Sequence, residues 1–152
     1  MSDTYRTIND VLVELINNIW ELEGNAVITD EFKDITNNDM HVIEAIGIGK
    51  GENMSAVAKK LNITLSSLTT AVNSLVRKAY VERQRSSEDR RIVEIRLTEK
   101  GEKAYLHHEE YHNQMIKAAI SEMSPEEIPI LVKMLKNLKV FFETYGQNKD
   151  GN

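Results

Sequence analysis

The stretch MSAVAKKLNITLSSLTTAVNSLVRKAYVERQRSSEDRRIVEIRLT, residues 54–98, decides the fold. Its first part keeps a 3.6-residue period, and Val57, Ala58 and Leu61 share one side of a short helix over 54–61. Thr64 stands where an N-cap belongs, and Leu68, Val72, Leu75 and Val76 give a second helix over 65–78 its apolar side. The period then falls to two. Residues 80–84 read as a strand, and Val93, Ile95 and Leu97 alternate with Glu94 and Arg96 in another. The polar tip Arg85-Ser86-Ser87-Glu88-Asp89-Arg90 joins them, which predicts a two-stranded hairpin. Helix, tight turn, helix and hairpin, in that order, make a winged helix-turn-helix. In that arrangement the second helix enters a major groove and the hairpin reaches the backbone or minor groove.

The exposed side of the second helix suits such a role. Ser66, Ser67, Thr69, Thr70 and Asn73 are short donors and acceptors that approach base edges and phosphates without clashing. Arg83, Arg85, Arg90 and Arg91 surround the hairpin, where each phosphate contact releases counterions. The formal net charge of −5 conceals this concentration of positive charge. Residues 50–100 hold eleven Lys and Arg against six Asp and Glu, a net of +5, so the remainder carries −10. A basic segment inside an acidic chain implies an anionic partner at one place only. A solvated basic loop on a small α+β domain has similar composition; the ordered helices, polar face and basic hairpin together favour double-stranded DNA.

Outward from this segment the chain reads as helix. Ile8, Val11, Leu12, Leu15, Ile16, Ile19 and Trp20 follow helical spacing over 4–22, with a stop expected near Gly24. Thr36 and Asp39 form a capping box for a helix that buries Met40, Ile43 and Ile46 and ends at Gly47. Thr98 caps a long helix to about residue 122, and Ser124-Pro125-Glu126-Glu127 reads as the start of a last one carrying Ile128, Leu131, Val132, Leu135, Leu138 and Phe142. From Gly146 the chain is polar. Gly47-Ile48-Gly49-Lys50-Gly51 is a turn and not a phosphate loop, because Gly rather than Ser or Thr follows the lysine and no strand precedes it.

The expected fold is mostly α with a small β-hairpin wing: one domain over 1–152, a winged helix-turn-helix over about 37–98, and dimerisation helices over about 4–24 and 99–145. The first helix and the last two helices are too apolar on one side to stay exposed, which predicts a two-fold homodimer on a pseudo-palindromic site. The 152 residues contain no cysteine, which excludes disulfides, thiol redox sensing and Cys-ligated metal. No apolar run is long enough to span a membrane, and the N-terminus lacks an apolar signal core, so a cytoplasmic protein is expected.

The run Met54-Ser-Ala-Val-Ala-Lys-Lys-Leu-Asn-Ile-Thr, the run Thr69-Thr-Ala-Val-Asn-Ser-Leu-Val-Arg-Lys-Ala-Tyr-Val, and Asp89-Arg90-Arg91 followed by Leu97-Thr98-Glu99-Lys100-Gly101 resemble the DNA-binding core and wing of MarR-type regulators. The likeness extends over nearly the whole chain. It implies a repressor, with Asp89 orienting Arg91 and with Arg90 or Arg91 reaching the minor groove. Ala79 departs from it, since many members carry Gly after the recognition helix; a left-handed Ala there costs about 1 kcal/mol. Phe32-Lys-Asp-Ile, Met40-His41, the run from Val81 to Arg91, and Met123-Ser-Pro-Glu-Glu are similar to the FabT-type branch, which represses fatty-acid synthesis genes. That branch implies acyl-acyl carrier protein as co-repressor and partner, with an acyl chain in an apolar tunnel. Ile16, Ile19, Trp20, Met40, Ile43 and Ile46 could line one, but the same residues make an ordinary core, the commoner role of any single one of them.

The four histidines allow two further readings. His108-Glu109-Glu110-Tyr111-His112 matches H-E-x-x-H on a helix, the ligand spacing of a zinc hydrolase, but no third ligand or substrate strand accompanies it, so no catalytic residue and no enzyme is expected. Alternatively Glu23, His41, His108 and His112 could meet where their helices pack and bind zinc. Their placement is similar to the metal site of AdcR-type zinc-responsive repressors, another MarR branch; the same residues also suit a polar helix surface. No cofactor is required for DNA binding itself.

Overall fold

The computed structural model describes residues 2–27 and 29–147, with the side chains of 20, 26, 27, 146 and 147 excepted. Two compact units divide the chain, Met1–Tyr111 and His112–Asn152. The first begins with helix α1 (Asp3–Val27) and α2 (Asn37–Ile46), passes through a two-residue strand β1 (Glu52–Asn53), and continues with α3 (Met54–Leu61) and α4 (Leu65–Arg77). Strands β2 (Val81–Arg85) and β3 (Val93–Leu97) follow, and then α5 (Glu99–Ile120), which runs on across the boundary between the units. The second unit ends with α6 (Ile128–Gln147).

The caps explain the helix starts. Thr36 accepts from the Asp39 backbone N–H while the Asp39 carboxylate accepts from that of Thr36, a complete capping box for α2. Asn53 caps α3, with its Oδ1 2.7 Å from the Ala56 nitrogen, and Thr64 caps α4 through the Ser67 nitrogen. Thr98 accepts from the Gly101 nitrogen at 3.2 Å and donates to the Ala79 carbonyl at 2.6 Å, so the α5 cap also closes the end of α4.

The apolar positions of α2, α3 and α4 meet in one core. Met40, Ile43, Val57, Leu68, Val72 and Leu75 pack there with Ile95 and Leu97 of β3, and Tyr80 is fully buried among them. The sheet is antiparallel in the order β1–β3–β2, with Glu52 opposite Ile95 and Val81 opposite Leu97. Its third strand corrects the two-stranded expectation. A strand of two residues has no alternation to read, and only the free edge of β3 makes it one. Gly51, at φ +113°, leads into it, and a Cβ there would stand 2.9 Å from Gln84 Nε2.

Two helix ends also differ from expectation. α1 continues through Gly24 to Val27, because a glycine costs only about 1 kcal/mol inside a helix and ends it only when it turns left-handed. α6 begins at Ile128 rather than at Ser124. Pro129 has no N–H to give to the carbonyl four residues back, so Ser124–Glu127 remain a turn, with the Glu127 carboxylate accepting from the Ser124 nitrogen at 2.8 Å. Residues 148–152 lie outside the described residues. Taken singly, α1 leaves Ile8, Val11, Leu15, Ile16 and Leu22 exposed, and α6 leaves Leu135, Phe141, Phe142 and Tyr145 exposed. Among the described residues no helix is long and apolar enough to cross a membrane.

The end of α4 is the strained point. Ala79 is left-handed at φ 64°, its N–H bonds Val76 O, and the Tyr80 N–H bonds Leu75 O at 2.9 Å, which is a Schellman cap. Exchanging Ala79 for Gly relieves the steric cost of a Cβ in that conformation and is expected to stabilise the chain by about 1 kcal/mol, a rise of about 2–4 °C in Tm. A thermal melt that shows no gain would contradict the strain.

Candidate nucleic-acid interface

α4 carries its polar residues outward. Ser66, Ser67, Thr69, Thr70 and Asn73 are all exposed, on the side opposite Leu68, Val72 and Leu75. The Thr69 hydroxyl donates to Leu65 O at 2.8 Å and that of Thr70 to Ser66 O at 3.3 Å, so both present methyl groups and acceptor lone pairs to solvent. Asn73 Oδ1 accepts a hydrogen bond from Arg83 Nη2 of β2. Arg83 therefore stands against α4, apart from the hairpin tip with which the sequence grouped it.

The hairpin projects the other arginines. The Ser86 nitrogen bonds Ile92 O and the Ile92 nitrogen bonds Asp89 O, both at 2.9 Å, which closes the tip. Asp89 then grips Arg91 twice, Oδ1 with Nε at 3.1 Å and Oδ2 with Nη2 at 3.0 Å, and also accepts from the Arg91 backbone N–H. These bonds hold the Asp89 carboxyl below its usual pKa. The Arg91 side chain remains 90% exposed, so it is aimed without being covered. Arg85 and Arg90 are exposed and make no ion pair among the described residues. Across the sheet face, Glu82 pairs with Arg96, and Gln84 bonds Glu94 at 3.4 Å.

A polar hub, missed in the sequence, anchors this assembly. The Tyr80 hydroxyl donates to Asp34 Oδ1 at 2.6 Å, Lys100 Nζ lies 4.0 Å above the Tyr80 ring, and Lys100 also donates to the Lys78 carbonyl at 3.1 Å. Burial, together with the Asp34 carboxylate, pushes the Tyr80 pKa up, so it stays a donor. The Tyr80 hydrogen bond, reinforced by Lys100, draws Asp34 down. Lys78 reaches Asp39 at 2.9 Å, tying the end of α4 to the start of α2. Asp34, Tyr80 and Lys100 lie 20 residues or more apart in the chain, so no local pattern marks them.

The histidine set is rearranged. His108 is 1% exposed; its Nε2 lies 3.5 Å from Glu23 of α1 and 3.3 Å from Glu44 of α2. His41 does not join it directly: its Nδ1 faces the other oxygen of Glu44 at 3.3 Å, because three residues separate them on α2. His112 follows His108 by one turn of α5. Glu44 is thus the acidic neighbour that the sequence reading omitted.

The described residues among the six suggested for a tunnel differ in burial within the single chain. Met40, Ile43 and Ile46 are core, Ile16 and Ile19 are 47% and 42% exposed, and the Trp20 side chain lies outside the described residues. Helical spacing put the α2 residues on the side that α4 and the sheet already fill. A cleft of about 480 Å³ does adjoin α2, bordered by Asn38, His41, Val42, Leu61, Ile63 and Ala71.

A family model described as MarR family matches residues 33–92. Among solved structures, Streptococcus pneumoniae FabT in complex with DNA is 40% identical, with 93% of this chain and 99% of that one covered at a TM-score of 0.82. The HTH-type transcriptional regulator PchR of Bacillus subtilis (strain 168) is 26% identical over 99% of this chain and 96% of its own. The HTH-type transcriptional repressor YetL of the same organism is 26% identical over 98% and 91%. These proteins are transcription regulators and not enzymes. The H-E-x-x-H spacing at 108–112 is accordingly no hydrolase motif here, and its buried His108 faces carboxylates of α1 and α2.

Exchange of Arg91 for Ala is expected to weaken DNA binding and to reduce the slope of log affinity against log salt by about 1, with sequence preference retained. Fluorescence anisotropy over a salt series measures this. An unchanged slope would remove Arg91 from the interface.

Proposed function

The chain belongs to the MarR family of DNA-binding transcription regulators, and from that premise we propose that it is a homodimeric repressor of fatty-acid synthesis genes with acyl-acyl carrier protein as co-repressor. The observation that carries the DNA-binding part is the exposed polar side of α4 beside a wing whose Arg91 is aimed by Asp89. The likeness to FabT, at 40% identity over nearly the whole chain, supports the choice of genes and of effector.

Dimerisation rests on the apolar sides that α1 and α6 leave open, areas that a second copy would cover. A two-fold dimer sets two recognition helices about 34 Å apart, one turn of DNA, so each operator half-site mirrors the other. An effector acts on this equilibrium only by binding one separation of the two lobes better than the other. Since Met40, Ile43 and Ile46 are already packed, an acyl chain would lie on the α1 side, between Ile16 and Ile19 and the second copy that covers them. Acyl carrier protein is acidic, so if it docks here it would use the basic middle of the chain too.

A second reading is favoured by the buried contact between Glu23 and His108. A carboxylate and an imidazole held together, with His112 as the next imidazole along α5, are a chemically sound beginning of a zinc site. Glu44 faces the same Nε2 as Glu23 and, through its other oxygen, His41, so zinc there would replace the Glu44 contact or take Glu44 as a further ligand. Zinc would supply a charge that draws α1, α2 and α5 together.

Two measurements separate these readings. Long-chain acyl-acyl carrier protein is expected to tighten binding to DNA upstream of fatty-acid synthesis genes; unchanged affinity would rule out the co-repressor while leaving the regulator. Zinc at about a hundred times its Kd would stabilise the fold by about 2.7 kcal/mol, reversibly by chelator and not in the His108→Ala or His112→Ala variant. A melt indifferent to zinc would dismiss the metal site.

A further inference from the structure

We propose that Arg83 reads a guanine in the major groove and that Asn73 is the residue that positions it, a refinement that rests on the DNA-binding reading above. The alternation of β2 places Val81 and Arg83 on one face and Glu82 and Gln84 on the other. Val81 is buried, opposite Leu97, so the same face turns Arg83, two residues on and opposite Ile95, toward α4. There its Nη2 donates to Asn73 Oδ1. Arg83 is therefore a β2 residue that belongs to the recognition helix, whereas Arg85, Arg90 and Arg91 belong to the hairpin.

The chemistry of the pair is selective. A neutral amide fixes the plane of the guanidinium without neutralising its charge, and no carboxylate pairs with Arg83 among the described residues. The rest of the N–H fork stays available on the exposed side of α4, in the stripe of Ser66, Thr70 and Asn73. A fork held in one plane matches the paired O6 and N7 acceptors of guanine. A phosphate contact needs no such orientation. Asn73 itself is diverted from adenine, because the bidentate pairing of an amide with adenine requires the same Oδ1 that now accepts from Arg83. Thr69 and Thr70, whose hydroxyl hydrogens turn back to their own helix, add acceptors and methyl groups, so the charged donors on this face are Arg83 and, one turn beyond Asn73, the exposed Arg77.

The experiment uses the full chain. Selection from randomised duplexes gives the base preference, and anisotropy over a salt series gives affinity, for the unaltered protein and for Arg83→Lys, Asn73→Ala and the double variant. Both residues are exposed, and a thermal melt confirms that each variant folds. Arg83→Lys keeps the charge and loses the fork. It is expected to lose preference for guanine at one position per half-site and to bind the operator at least about tenfold more weakly, with the salt slope unchanged. Asn73→Ala is expected to relax the same position, and the double variant to bind no worse than Arg83→Lys, because the two act as one unit. Arg83→Lys with unaltered affinity, or a loss spread evenly over all sequences, would reduce Arg83 to a phosphate contact and overturn the proposal. An unaltered protein that shows no salt-dependent DNA binding would instead overturn the regulator reading on which it stands.

Discussion

The junction at Tyr80 is the constraint on which the DNA-binding unit depends. Its backbone N–H completes the cap of α4, its carbonyl accepts from Thr98, and its hydroxyl and ring engage Asp34 and Lys100. Gly101 makes the closeness possible. A Cβ there would stand 2.1 Å from the Tyr80 carbonyl oxygen, so α5 can start this near to β2 only with glycine at its third position. The recognition helix, the first wing strand and the long helix beyond the wing are thereby held by one residue. The buried Tyr80 hydroxyl is costly to leave unpaired, whereas Asp34, 46% exposed and 3.4 Å from Lys100, keeps water and Lys100 as partners.

The wing is built on another principle. Its ion pairs, Asp89 with Arg91 and Glu82 with Arg96, lie in solvent, where such pairs add little to stability. What they supply is direction. Asp89 removes the freedom of a long side chain before DNA arrives, so less entropy is lost on binding. Asn73 does the same for Arg83 with a neutral group. The two arginines thus differ in what holds them, and the region keeps its positive charge while the remainder of the chain, at −10, discourages contact with DNA elsewhere.

Much of the fold was legible because it is local. α3 begins and ends where its period of apolar residues predicts, and the capping box of α2 and the N-cap of α4 depend on residues three apart. The exposed residues of α4 followed from the same period. Errors arose where the deciding partner is distant or the signal short. β1 is made by β3, and the start of α6 is moved by Pro129; of the residues suggested for a tunnel, those of α2 are core and Ile16 and Ile19 of α1 are exposed, because an apolar side chain does not reveal which neighbour covers it.

By itself, then, the sequence determined the order of the helices and the hairpin, the polar side of the recognition helix and the basic wing, all set by periodicity and charge over a few residues. Only the tertiary structure decided which side chains from separate elements meet: Tyr80 with Asp34, Arg83 with Asn73, and His108 with Glu23 and Glu44. Each of these contacts is a hydrogen bond or ion pair between groups ten or more residues apart. Such a bond is fixed by the packing of the elements that carry it, and no spacing within the chain announces it.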